Sequence, residues 1–183
     1  MYAIMGRKES KSWVCIHSIC AAYHIDEENL CKRAKLLLSS FSNLYWSRVP
    51  GNRWGEKPMT YEDRIRLKEA FHYLKEFSAT EEKQSFLTHI TTYMDVGLLQ
   101  EMVNHALLRV AEFPDFGKTH FDILSKCYLS SVDYQEDEIL FELHLERSRY
   151  YDRKKEAVML FGIAFWTVAI RNYEELLVPA HIA

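Results

Sequence analysis

Glycine and proline are scarce in this sequence. Only six Gly and four Pro occur among its 183 residues, and these are the residues that most often redirect a chain at turns. Two of each fall within the ten residues 49–58, so the rest of the chain has long stretches without a break. Long unbroken stretches with three- and four-residue apolar spacing are typical of helices, and the sequence therefore predicts an all-α fold.

Recognisable metal-binding and catalytic motifs are also lacking. The four cysteines show no C-x-x-C spacing, and the eight histidines form neither H-E-x-x-H nor a His and Cys pair at ligand spacing. There is no G-x-S-x-G, P-loop or dinucleotide fingerprint. We therefore expect no metal, no cofactor and no enzyme. Because no secretory signal precedes the cysteines, we expect reduced thiols and a cytoplasmic location.

A membrane-spanning segment is not expected either. The longest uncharged apolar run covers the 14 residues 157–170 and stops at Arg171, whereas a spanning helix needs about 20 residues. This run is hydrophobic on all sides, so it predicts a long hydrophobic last helix that must be covered. It could be the core of one chain or half of a subunit interface. We favour a homodimer, with Phe161, Phe165 and Trp166 at the dimer interface.

The sequence divides into four predicted segments. Residues 1–11 are expected to form a flexible arm, residues 12–58 an N-terminal helical segment and loop, residues 59–114 a helical scaffold, and residues 115–178 a helix-turn-helix with a dimerisation helix. Arg53, Trp54 and Lys57 lie in the Gly- and Pro-rich loop. They form a candidate secondary surface, where the Trp could stack on a base or anchor a protein contact. A Trp that lies over the core is the commoner alternative.

Charge changes sign sharply near the C-terminus. Residues 131–146 hold six acidic residues and no Lys or Arg, whereas the next nine residues hold five basic residues and one Asp. The switch coincides with a predicted short helix from about Gln135 to His144, a turn at Leu145 and Glu146, and a second helix that begins at Arg147. Ile139, Leu143 and Leu145 could fill the angle between the helices. This pattern is typical of a helix-turn-helix.

The second helix carries the candidate DNA contacts. In a helix-turn-helix, the first residues of this helix reach base edges in the major groove, and cations further along meet phosphates. Tyr150 and Tyr151 lie about 100° apart on a helix, so we expect one of them to be core. A solvated charged face is the alternative reading of the whole cluster. The candidates are Arg147, Ser148, Arg149 and Tyr150 for bases, and Arg153, Lys154 and Lys155 for phosphates.

The acidic stretch 136–139 and the stretch 143–157 together resemble a known motif. They are similar to the C-terminal helix-turn-helix of ArpU-like phage and prophage transcription regulators, which is itself similar to region 4 of sigma factors. Residues 117–128 resemble the helix that precedes the motif in that group, and the resemblance covers about residues 107–170. It implies a phage or mobile-element DNA-binding transcription regulator that acts on double-stranded DNA, commonly as a dimer.

Some residues differ from the pattern of that group. Leu140 and Phe141 stand where small residues are usual, His144 stands where Gly is common, and Glu146 replaces a Ser or Thr cap. With the acidic first helix, these differences motivate a second hypothesis. The chain could be a phage-encoded inhibitor of anti-CRISPR type that binds a nucleic-acid enzyme such as Cas9, and it could also bind DNA. A host nuclease is the candidate protein partner under this second hypothesis, and RNA polymerase is the candidate under the first.

Overall fold

The computed structural model describes residues 9–45, 58–175 and 177, and within these ranges it contains helices and no strand. The prediction of an all-α fold is confirmed. The α-helices of the described ranges are α1 (Lys11–Ala22), α2 (Glu27–Tyr45), α3 (Tyr61–Glu76), α4 (Lys83–Tyr93), α5 (Val96–Ala111), α6 (Gly117–Leu124), α7 (Glu136–Glu142), α8 (Arg147–Ile163) and α9 (Ile170–Glu175). Two π-helical segments, Ser125–Leu129 and Ala164–Ala169, follow α6 and α8.

Short polar side chains start several of these helices, as the sequence predicts. Asp26 accepts a hydrogen bond from the Asn29 amide before α2, and Asp95 caps α5 through the Gly97 amide. Before α3, the hydroxyl and amide of Thr60 exchange hydrogen bonds with Asp63 in a capping box. These caps satisfy first-turn N–H groups that have no partner inside the helix.

Helix α8 is the central element of the fold. It packs against α1, α2, α5 and α6, and its second half is buried. The crossing with α2 is close at Gly162, where an added Cβ would lie 3.0 Å from Leu30 Cδ1 and 3.3 Å from Ala34 Cβ. The main buried cluster extends from Ile16 to Leu177 in the sequence. Parts of three of the four predicted segments therefore share one core.

The apolar run 157–170 is covered by its own chain. It is divided among α8, the π-helical segment Ala164–Ala169 and the start of α9, so a single long last helix is not confirmed. Phe161 and Phe165 are both 0% exposed and belong to the main core, where α2 and α5 pack against α8 and α5 also packs against the π-helical segment Ala164–Ala169. Their assignment to a dimer interface is therefore wrong. Trp166 is half-buried, and its indole Nε1 donates to the Leu74 carbonyl at 2.8 Å.

Other predictions concern the chain ends and the loop. Lys11 is the first residue of α1, so the last residue of the predicted arm is helical. Residues 1–8 and the loop that holds Arg53, Trp54 and Lys57 lie outside the described residues. Among the described helices, none combines the length and apolar character that crossing a bilayer requires.

Gly117, the first residue of α6, lies close to the backbone at the end of α5. A Cβ at this position would lie 2.5 Å from the Ala111 carbonyl oxygen and 2.8 Å from that of Val110. Neither oxygen can move without displacing the end of α5, so we expect Gly117→Ala to destabilise the fold by about 1–3 kcal/mol. Urea unfolding measures this, with the exposed neighbour Lys118→Ala as the control. Equal stability of the two variants would contradict the close approach.

Candidate nucleic-acid interface

Helices α6, α7 and α8 form a helix-turn-helix with a small core of its own. Ile123 of α6, Ile139 of α7 and Tyr150 of α8 are its buried members. Partly buried side chains surround them, so the cluster holds all three side chains predicted to fill the angle between the helices, Ile139 as a buried member and Leu143 and Leu145 as partly buried ones. The buried and partly buried members of this cluster are Ile123, Ile139, Tyr150, Cys127, Tyr134, Leu140, Leu143 and Leu145.

The turn between α7 and α8 is set by a left-handed residue. His144 has φ of 51°, its amide donates to the Phe141 carbonyl, and the Leu145 amide donates to the Leu140 carbonyl at 3.0 Å. This is the Schellman arrangement that ends many helices, usually with Gly at the left-handed position. Helix α7 ends at Glu142, slightly before the predicted end at His144, and α8 begins at Arg147 as predicted.

The same turn occurs between α1 and α2, a feature that the sequence analysis missed. His24 has φ of 54°, and the Ile25 amide donates to the Cys20 carbonyl at 2.8 Å. The signal in the sequence is a His, an aliphatic residue and an acidic residue in both turns. The helices that follow differ in charge, because α2 opens with Glu27 and Glu28 whereas α8 opens with two Arg. Of these two helices, α8 is therefore the one that begins with positive charge.

Tyr150 is not available for DNA contact. It is 2% exposed, and its hydroxyl lies 3.2 Å from Cys127 Sγ of the π-helical segment after α6. Tyr151 is exposed and donates its hydroxyl hydrogen to Glu136 at 2.6 Å. The expectation that one tyrosine of the pair is core is confirmed. The assignment of Tyr150 to base contact is wrong, because the ring fills the angle between α6, α7 and α8.

Arg153 is likewise directed into the protein. It is 9% exposed, its Nη1 donates to Glu156 at 2.6 Å, and its guanidinium lies 3.7 Å above the Phe116 ring. A guanidinium used in this way cannot reach a phosphate, so the assignment of Arg153 to phosphate contact is wrong. Lys154 is half-buried near the rings of Tyr128 and Tyr150.

Glu156 is the buried charge that organises this region. Its carboxylate accepts hydrogen bonds from Ser10 at 2.5 Å and Arg153 at 2.6 Å, and lies 3.0 Å from His120 Nε2. Burial by itself would raise the carboxyl pKa, but the hydrogen bonds from His120, Ser10 and Arg153 lower it to about 2. The carboxylate thus joins α6 and α8 to Ser10, the N-cap of α1.

The other four candidate side chains lie at the surface, but their contacts differ. Arg147, Ser148, Arg149 and Lys155 are exposed. Arg147 makes ion pairs with Glu136 and Asp137 of α7, and the Lys155 ammonium lies 5.2 Å from the centre of the Trp13 ring. Arg149 has no hydrogen-bond or ion-pair partner among the described residues. The Glu146 side chain, at the N-cap position of α8, makes no capping hydrogen bond to this helix.

A polar cavity continues this surface toward α1. It is lined by Glu9, Ser10, Trp13, Arg149, Asp152, Arg153 and Glu156. The first turn of α1 therefore lies directly beside the exposed side of α8. The described ranges contain no group of three or more His, Cys, Asp and Glu side chains arranged to hold a metal ion.

Comparison with protein-family models, with curated proteins and with solved structures finds no match to this chain.

The hydrogen bonds that join Glu156 to Ser10, His120 and Arg153, called the Glu156 network below, predict how stability depends on pH. The pKa of Glu156 is lower in the folded chain than its ordinary value. Its ionised carboxylate therefore contributes fully to stability above about pH 4.5, and this contribution is lost as the pH falls toward about 2. We expect Glu156→Gln to destabilise the protein by about 3 kcal/mol near neutral pH, because Arg153 keeps its charge in a buried position. We also expect the variant to lose part of the acid dependence.

Urea unfolding at several pH values measures both effects. Glu62→Gln is the matched control, since Glu62 is an exposed carboxylate on α3. If Glu156→Gln and Glu62→Gln unfold alike at every pH, the network does not stabilise the fold.

Proposed function

We propose that this protein is a DNA-binding transcription regulator that places the N-terminal turn of α8 in the major groove of double-stranded DNA. The observation that carries the proposal is Arg149, whose exposed guanidinium has no hydrogen-bond or ion-pair partner among the described residues. It lies at the start of a helix that packs with α6 and α7 around a common small core. Arg is the side chain that most often reads guanine, through two hydrogen bonds to its major-groove edge.

The neighbouring side chains fit the same role. Ser148 is exposed beside Arg149 and can donate to or accept from a base edge or a phosphate. Lys155 follows Ser148 by seven residues, about two helical turns, and therefore lies on the same face. The N–H groups in the first turn of α8, which the Glu146 side chain does not cap, also favour negative charge. Ser148 and Arg149 are thus assigned to bases, and Lys155 to phosphate.

Several earlier expectations stay predictions within this proposal. They are the phage or mobile-element origin, the cytoplasmic location and the homodimer that would read paired half-sites. A dimer would need an interface other than Phe161 and Phe165, because both rings are buried in their own chain. Mass measurement in solution, with and without DNA, tests the homodimer.

One observation favours the second candidate function, an inhibitor that binds a nucleic-acid enzyme. Phe141 is 79% exposed on α7, between the acidic side chains of Asp137, Glu138 and Glu142 in sequence. An exposed aromatic ring on an acidic helix suits a basic protein surface better than DNA. Under this alternative, the protein would inhibit DNA cleavage by purified Cas9 with its guide RNA, and Phe141→Ala would abolish the inhibition.

The DNA proposal is tested with a duplex selected from a random-sequence pool and a scrambled version of it. We expect Arg149→Ala to weaken binding to the selected duplex by about 1–3 kcal/mol and to change binding to the scrambled duplex much less. We expect Lys155→Ala to weaken both complexes alike and to reduce the salt slope by about one. Fluorescence anisotropy over a salt series measures these effects.

Arg171→Ala is the matched control for the loss of one positive charge. Arg171 is exposed, belongs to α9 beyond the far end of α8, and pairs with Glu175. The proposal would be contradicted by the absence of binding to any duplex at low salt and high micromolar protein. It would also be contradicted if Arg149→Ala and Arg171→Ala behaved alike.

A further inference from the structure

Arg147 is exposed at the start of α8, but α7 already occupies its guanidinium. Arg147 Nε lies 3.0 Å from Glu136 Oε1, and Nη2 lies 3.1 Å from Asp137 Oδ1. The second oxygen of Glu136 accepts a hydrogen bond from Tyr151 one turn further along α8, which fixes the direction of the carboxylate. The first two residues of α7 therefore both bind Arg147, in the first turn of α8.

The other acidic side chains of this segment have different roles. Glu138 accepts a hydrogen bond from the Gln135 amide at 2.8 Å and completes the cap of α7. Glu142 forms an ion pair with Lys126 of the π-helical segment after α6. Glu136 and Asp137 are thus the carboxylates of this helix that bind Arg147.

We propose that Glu136 and Asp137 are specificity-determining residues, an inference that rests on the proposed DNA-binding function. By occupying the Arg147 guanidinium beside the groove-facing turn, they keep it from phosphate and so lower the affinity for DNA of any sequence. The base contacts proposed for Ser148 and Arg149 are not weakened. Because phosphate contacts dominate non-specific binding, weakening them increases the difference between the matched site and all other DNA.

The strength of the contact suits this role. Arg147 and Asp137 are 64% and 85% exposed in their side chains, and exposed ion pairs of this kind are weak enough for DNA to compete with them. The pairs therefore limit non-specific binding without closing the site.

The test is the double variant Glu136→Gln and Asp137→Asn. We expect it to bind the scrambled duplex about three- to tenfold more tightly than the original chain, with a salt slope steeper by about one, because Arg147 becomes free for phosphate. We expect a smaller gain for the selected duplex, so that the ratio of the two affinities falls. The matched control is Glu62→Gln with Glu69→Gln, which changes the net charge equally on exposed positions of α3.

A double-mutant cycle assigns the effect to Arg147. We expect Arg147→Ala to change DNA affinity little in the original chain and to remove most of the gain in the double variant. A gain that persists without Arg147, or a gain that the α3 control reproduces, overturns the inference while the proposed function stands. If neither the original chain nor any variant binds a duplex, the proposed function fails and the inference fails with it.

Discussion

The carboxylate of Glu156 is the constraint on which this architecture depends. A charge this deeply buried is tolerated only when hydrogen-bond donors surround it, and here the donors come from the start of α1, from α6 and from α8 itself. Because the carboxylate must meet all of these donors, the rotation of α8 about its own axis is fixed. Arg153 points inward as a result, and the exposed side of the same helix is left to Ser148, Arg149 and Lys155.

Helix α8 therefore combines the proposed DNA contact with a structural role in the core, two roles that different helices often carry. Its first turns are exposed and carry the proposed groove contacts, whereas its second half is the buried centre of the chain. The close crossing at Gly162 and the packing of α2 and α5 hold the buried half. The backbone at Arg149 is consequently held by the whole core, so binding would not have to order it. The acidic start of α7 then acts on the same turn through Arg147.

The sequence predicts the local features of this structure well. Caps such as Asp26 and Asp95, the start of α8 at Arg147 and the burial of one tyrosine of the pair follow from propensity and helical period. The roles of Arg153 and Glu156 do not follow, because a buried ion pair and a solvated one look alike in a charged stretch. Nor does the cover over Phe161 and Phe165, since it comes from α2 and α5, which are distant in sequence. The pairing of Arg147 with α7 needs the turn geometry at His144, which composition does not specify.

The central claim is that the first turn of α8 meets DNA in the major groove. The most direct measurement is an amide NMR titration of the protein with the selected duplex, followed residue by residue. The account predicts the largest shifts at Ser148 and Arg149, smaller shifts at Lys155 and the first turn of α1, and little change in α3. Shifts centred on Phe141 and the exposed side of α7, with Arg149 unchanged, would contradict it.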